Sequence, residues 1–184
     1  MKRLAPFVVF LATALLVGAL PAQDKPPELP AARMYDLSGQ SYQLKDVLGA
    51  ATVLNFWATW CGPCRLELPD LQKLAKEFGG KGLLVLAIDV DLPPAPEEAT
   101  AQMLAALKPR VEAFVRGTGI TLPIFVMDGA TSGAFGIDRI PFTVLVDRSG
   151  HVLQIYAGYS PEGMRDLRER VAKLVGGRRV NAGS

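Results

Sequence analysis

The segment Thr52-Val53-Leu54-Asn55-Phe56-Trp57-Ala58 is a near-continuous β-favouring run. Such runs suit a central strand covered on both faces. Directly after it comes Trp60-Cys61-Gly62-Pro63-Cys64, and from Leu66 to Phe78 the spacing becomes helical, with Leu68, Leu71, Leu74, Ala75 and Phe78 on one side. The chain therefore passes from strand to helix across a pair of cysteines. At a helix N-terminus, unpaired amides and the helix dipole stabilise a thiolate, here that of Cys61. Cys64 lies about one turn further in, more buried, and close enough to close a disulfide. An exposed thiolate of this kind attacks a substrate disulfide, and the inner thiol resolves the mixed disulfide. A purely structural bridge is a weaker reading, because closing so small a ring removes roughly 2 kcal/mol of unfolded-state entropy.

The rest of the chain supplies the layers. Met34–Leu37 and Ser41–Leu44 flank Ser38-Gly39-Gln40 as a hairpin, and Lys45–Gly49 suits one helical turn. Leu83–Asp89, Ile124–Met127, Phe142–Val146 and Val152–Tyr156 read as strands, the last two joined by Asp147-Arg148-Ser149-Gly150. Short helices are expected at Thr100–Leu107, at Pro109–Arg116 and as a turn at Ala130–Phe135. A last helix starts at Ser160-Pro161 and runs to about Val175. This order predicts a three-layer α/β fold with a mixed sheet.

Composition narrows the function. The chain has 20 basic and 18 acidic residues, and Lys2 and Arg3 account for the difference. A neutral body without a basic run argues against nucleic acid as partner. Two cysteines and one histidine, His151, are too few for a structural zinc site, so no metal and no cofactor is expected. Lys2 and Arg3 precede an apolar stretch from Leu4 to Leu20, the layout of a signal peptide or a membrane anchor over 1–22. Residues 23–30 read as a proline-rich tether, 31–176 as the domain and 177–184 as a frayed tail. Export to the periplasm or the outer face of the cytoplasmic membrane follows from the positive start.

The cysteine segment Val53–Cys64, the stretch Arg65–Pro69, and Gly136-Ile137-Asp138-Arg139-Ile140-Pro141-Phe142-Thr143 resemble the thioredoxin superfamily, more narrowly its TlpA/ResA-like exported thiol–disulfide oxidoreductases. The resemblance covers roughly Ala31–Val175 and implies a thioredoxin-like three-layer sandwich with an N-terminal hairpin. It implies a disulfide reductase cycling between dithiol and disulfide at Cys61 and Cys64, with oxidation or isomerisation as same-class alternatives. It also implies a disulfide-containing exported protein as substrate and a membrane electron donor, and the chain is expected to act as a monomer. Pro141 matches the family's cis-proline, which with Ile140 would receive an extended substrate strand, and Trp60 would form an apolar rim beside Cys61. Pro69 matches a helix-kinking proline. Asn55 stands where cytoplasmic thioredoxins carry a buried acid. Glu67, three residues after Cys64 and so on its helix face, matches the acid that such exported reductases carry near the disulfide; the competing expectation is a solvated helix residue.

Asp89, Asp91 and His151 read as solvated surface groups. The segment Asp91–Lys108 is longer than the family's usual connection. Two other classes compete: a peroxiredoxin-like peroxidase, whose Pro-x-x-x-Thr/Ser-x-x-Cys context is broken by Leu54 and Ala58, and a copper-binding chaperone, for which no suitably placed histidine is present.

Overall fold

In a computed structural model, residues 26–92, 97–127 and 133–176 are described. The signal or anchor at 1–22, the start of the tether and the tail at 177–184 lie outside the described residues, as does the first half of the turn expected at Ala130–Phe135. Seven strands form one sheet: β1 (Arg33–Asp36), β2 (Ser41–Gln43), β3 (Ala51–Trp57), β4 (Leu83–Asp89), β5 (Ile124–Val126), β6 (Phe142–Asp147) and β7 (Val152–Ala157). Their spatial order is β2-β1-β5-β4-β3-β6-β7. β4 is parallel to β3 and to β5, and every other pairing is antiparallel. The fold is α/β and thioredoxin-like, with the expected hairpin at β1–β2.

All seven residues of β3 are buried, as a central strand requires. Its alternation sorts two cores. Ala51, Val53 and Trp57 join residues of α1 (Cys64–Phe78), α2 (Glu97–Thr118) and α3 (Pro161–Gly176), so all three helices cover one face. Leu54 and Phe56 point the other way, onto Met34, Leu44, Phe142 and Val144, with Val47, Phe135 and Ile137 packed outside. That second layer is thinner: its helical residues include the 3-10 turn Leu44–Val47. Ser160 caps α3, accepting the Gly163 N–H at 3.0 Å.

Two features differ from the sequence reading. The segment expected as two helices is one, α2, with Pro109 inside it. Leu104, Leu107, Val111 and Phe114 are all buried and carry a single apolar stripe past the proline. Pro109 itself is exposed, and so is Ala105, whose carbonyl loses its helical donor, so water can meet that group. The end of the expected tether is also stitched to the sheet. Glu28 bridges His151, Leu29 N–H donates to the Gly150 carbonyl at 2.9 Å, and Val152 N–H donates to the Pro27 carbonyl at 2.7 Å. Pro27 can take part because it offers only its carbonyl.

Candidate active site

β3 delivers the chain into a tight turn. Ala58 and Thr59 are still buried, Trp60 is 71% exposed, and the Cys61 N–H donates to the Ala58 carbonyl at 3.1 Å. Cys61 and Cys64 form a disulfide, with Cα atoms 5.3 Å apart. Helix α1 starts at Cys64, one residue after Pro63, whose φ of −60° and ψ of −30° are already helical. No side chain caps this helix with oxygen. Instead the Cys61 sulfur occupies the cap position and accepts the Cys64 N–H at 3.2 Å. A thiolate formed there on reduction keeps an amide donor and the positive end of the helix dipole. Both cysteines are nonetheless buried in the disulfide, Cys61 at 3% and Cys64 at 0% exposure. The order of exposure matches expectation, although Cys61 is far from open to solvent in this state.

Glu67 is the sharpest departure from a solvated helix position. It is 2% exposed, one turn beyond Cys64 on α1. Strand register explains its company. Asn55 of β3 pairs directly with Thr143 of β6, and Asn55 shares the side of β3 that faces the helices. Asn55 Nδ2 donates to Glu67 Oε2 at 2.8 Å and to Thr143 Oγ1 at 2.9 Å, while the Thr143 hydroxyl donates to Glu67 Oε1 at 3.0 Å. Burial pushes the Glu67 carboxyl up to about 7, against the opposing pull of these hydrogen bonds. Asn55 therefore holds a buried acid supplied by the helix.

Asp89 and Asp91 are not solvated loop acids. Asp89 is fully buried, and burial, with the nearby Asp91 charge, raises its carboxyl to about 7. The Asp91 side chain is 2% exposed and holds three hydrogen bonds and one ion pair. Its partners are the Thr59 N–H at 3.1 Å, the Thr59 hydroxyl at 2.8 Å, the Trp60 Nε1–H at 2.6 Å and Arg110 Nη2 at 3.1 Å. The exposed indole is thus pinned from beneath, and the pin is itself pinned from α2. The Phe114 ring of α2 lies 4.6 Å from the Trp57 ring, centroid to centroid, and the Arg65 guanidinium sits 4.6 Å from the Phe114 centroid. Thr143, Arg65, Arg110 and Phe114 were not singled out from sequence. Only the Asp-Val-Asp spacing at the end of β4 hinted at this cluster.

The Ile140–Pro141 peptide is cis, and Pro141 is buried. Because Phe142 pairs with Phe56 in antiparallel register, Pro141 stands at the end of the sheet where β3 runs into the cysteine turn. Ile140 is half-buried. His151 sits at the other end of β6, half-buried rather than freely solvated, with Nδ1 3.0 Å from Asp147 Oδ2. It belongs to no part of this site.

The model of the AhpC/TSA family matches residues 23–173. The chain belongs to this family. It is 32% identical over 130 residues to a thiol-disulfide oxidoreductase ResA of Halalkalibacterium halodurans, covering 70% of this chain and 66% of that protein. It is 33% identical over 124 residues to the ResA of Geobacillus thermodenitrificans, covering 67% of this chain and 63% of the relative. The chain thus spans somewhat under two thirds of these relatives' lengths. A crystal structure of a thiol:disulfide interchange protein of the thioredoxin family from Chlorobium tepidum superposes with a TM-score of 0.64 at 25% identity, covering 84% of this chain and all of that one.

The raised Glu67 carboxyl makes stability depend on pH. The folded protein holds this proton more tightly than the unfolded chain, so the contribution is complete below about 4.5 and is lost as pH rises through about 7. Glu67→Gln has nothing to ionise. Denaturant unfolding of the disulfide form at pH 5 and pH 8 should show wild type losing on the order of 3 kcal/mol more than Glu67→Gln across that interval. Equal losses in the two proteins would show that Glu67 ionises without cost.

Proposed function

We propose that the chain is an exported thiol–disulfide oxidoreductase that works as a reductase. The observation that carries this reading is the Cys61–Cys64 disulfide at the head of α1, with the Cys64 amide on the Cys61 sulfur. The names of the relatives agree with it. In the reduced protein the Cys61 thiolate attacks one sulfur of a substrate disulfide, forming a mixed disulfide and releasing the first substrate thiolate. The Cys64 thiol then gives its proton toward the Glu67 carboxylate and attacks the Cys61 sulfur. That step expels the second substrate thiolate and closes the Cys61–Cys64 bond. Two electrons pass to the substrate, whose thiolates take up two protons. Near pH 7 the Glu67 carboxyl is divided between its two forms, so it can accept this proton and return it when the pair is reduced again.

Substrate would approach over Trp60 and the Ile140–Pro141 corner, which lie at one end of the sheet beside the turn. A membrane-bound electron donor would restore the dithiol, since the chain supplies no electrons of its own. The basic start at Lys2 and Arg3 and the apolar stretch to Leu20 support export, as a released or an anchored protein. No described helix is long and apolar enough to cross a membrane.

A Cys64→Ala protein, exposed to an extract of exported proteins, should retain its substrate as a mixed disulfide on Cys61, identified by mass spectrometry. Adducts that survive in a Cys61→Ala protein instead would reverse the two roles. Glu67→Gln should slow resolution of a preformed mixed disulfide at pH 7 by about a hundredfold, the low end of general-base contributions. An unchanged rate would leave proton transfer to water. A reporter enzyme active only outside the cytoplasm, fused after Gly176, should be active; activity solely of a cytoplasmic reporter at the same position would refute export.

A further inference from the structure

A cleft of about 460 Å³ opens beside Trp60 and runs along α2, lined by Thr59, Trp60, Arg65, Arg110, Phe114 and Thr118. Its size falls within the range of sites that hold a ligand group. Its charge is unbalanced. Asp91, which does not line the cleft but holds three of the residues that do, accepts from Thr59 and Trp60, pairs with Arg110, and is 2% exposed. Arg110 meets Asp91 through one Nη atom and is 58% exposed. Arg65 donates Nη2 to the Thr59 carbonyl at 3.0 Å and lies over the Phe114 ring, so its fork is held in place by groups that carry no charge. Among the described residues no carboxylate pairs with Arg65. Glu112, the nearest acid in sequence on α2, sits with Lys108 and Arg116 rather than in the cleft.

We propose that this cleft is a docking subsite for an acidic stretch of the substrate protein, within a few residues of its reacting cysteine. Two preplaced guanidiniums suit carboxylates, which they can bind through paired N–H donors. The apolar Trp60 and Phe114 surfaces lower the local dielectric and strengthen such contacts. The cleft begins at the residue immediately before Cys61, so a substrate strand engaged at the sulfur passes its mouth. This reading rests on the oxidoreductase proposal and adds to it a substrate charge preference that α2 imposes.

Three disulfide-bonded peptides, identical except for a flank of Glu, Gln or Lys residues, test it against the pre-reduced full chain. Reduction is followed by stopped-flow Trp emission at an ionic strength of about 10 mM and again at about 1 M. The Glu peptide should react about three- to tenfold faster than the Gln peptide at low salt, and the Lys peptide slower than both. The Glu-to-Gln ratio should fall toward one at high salt, in Arg65→Gln and in Arg110→Gln. Equal rates for Glu and Gln peptides at low salt overturn the subsite and leave the oxidoreductase reading intact. So does a ratio unchanged in both variants, which would place the acidic contact elsewhere. If none of the peptides is reduced, the oxidoreductase reading fails. The cleft is then read separately by titrating a cysteine-free Glu peptide into the disulfide form: saturable change in Trp emission with Glu but not Gln flanks sustains the acidic site, and no change removes it.

Discussion

A carboxyl group buried at the junction of a helix and two strands sets the geometry around it. Glu67 can lose its water only because Asn55 and Thr143 supply donors, and those two can supply them only while β3 and β6 keep their register. A slip of one residue in either strand would turn its side chain to the opposite face and part the two. The same bonds fix the first turns of α1 over the end of β3, and the first residue of that helix is Cys64. The position of the cysteine pair and the acid's altered proton affinity are therefore two results of one packing arrangement.

That dependence explains what could be read from sequence. The β3 run, the helical stripe of α1 and the Ser160-Pro161 start of α3 are local patterns, and each element appears within a residue or two of its expected bounds. The cysteine motif was legible for the same reason, since strand, turn and helix are contiguous there. The partnership of Asn55 with Thr143 spans 88 residues and depends on register, which no local pattern records. Asp91 was misread because two acids after a strand usually face solvent. Its burial depends on Arg110, nineteen positions on, arriving from a helix whose continuity past Pro109 local rules did not favour.

The polar groups left without hydrogen-bond partners gather in one place. Among the described residues Asn55 Oδ1, Trp57 Nε1 and Asp89 Oδ2 are buried and unpaired. An unmet buried group costs about 1–3 kcal/mol. All three lie toward the C-terminal ends of β3 and β4, and Trp57 and Asp89 are register partners beneath the cysteine turn. In open α/β sheets this is the end where ligands bind. Stability is given up at the site, while the remainder of β3 and β4 is apolar except for Thr52.

Helix α2 changes the character of that end of the sheet. A short link between β4 and β5 would leave Asp91 as an acid at a strand terminus, close to Asp89 and able to repel an incoming thiolate. By bringing Arg110 to Asp91, the helix neutralises that charge, and through Asp91 it holds the Trp60 indole in place. By bringing Phe114 between Trp57 and Arg65, it stiffens the floor of the turn. The residual charge beside Cys61 becomes positive, which favours both a thiolate on the protein and an anionic group on its partner. The length of the segment after β4 thus has an electrostatic consequence at the disulfide, reached through three side chains and a ring stack.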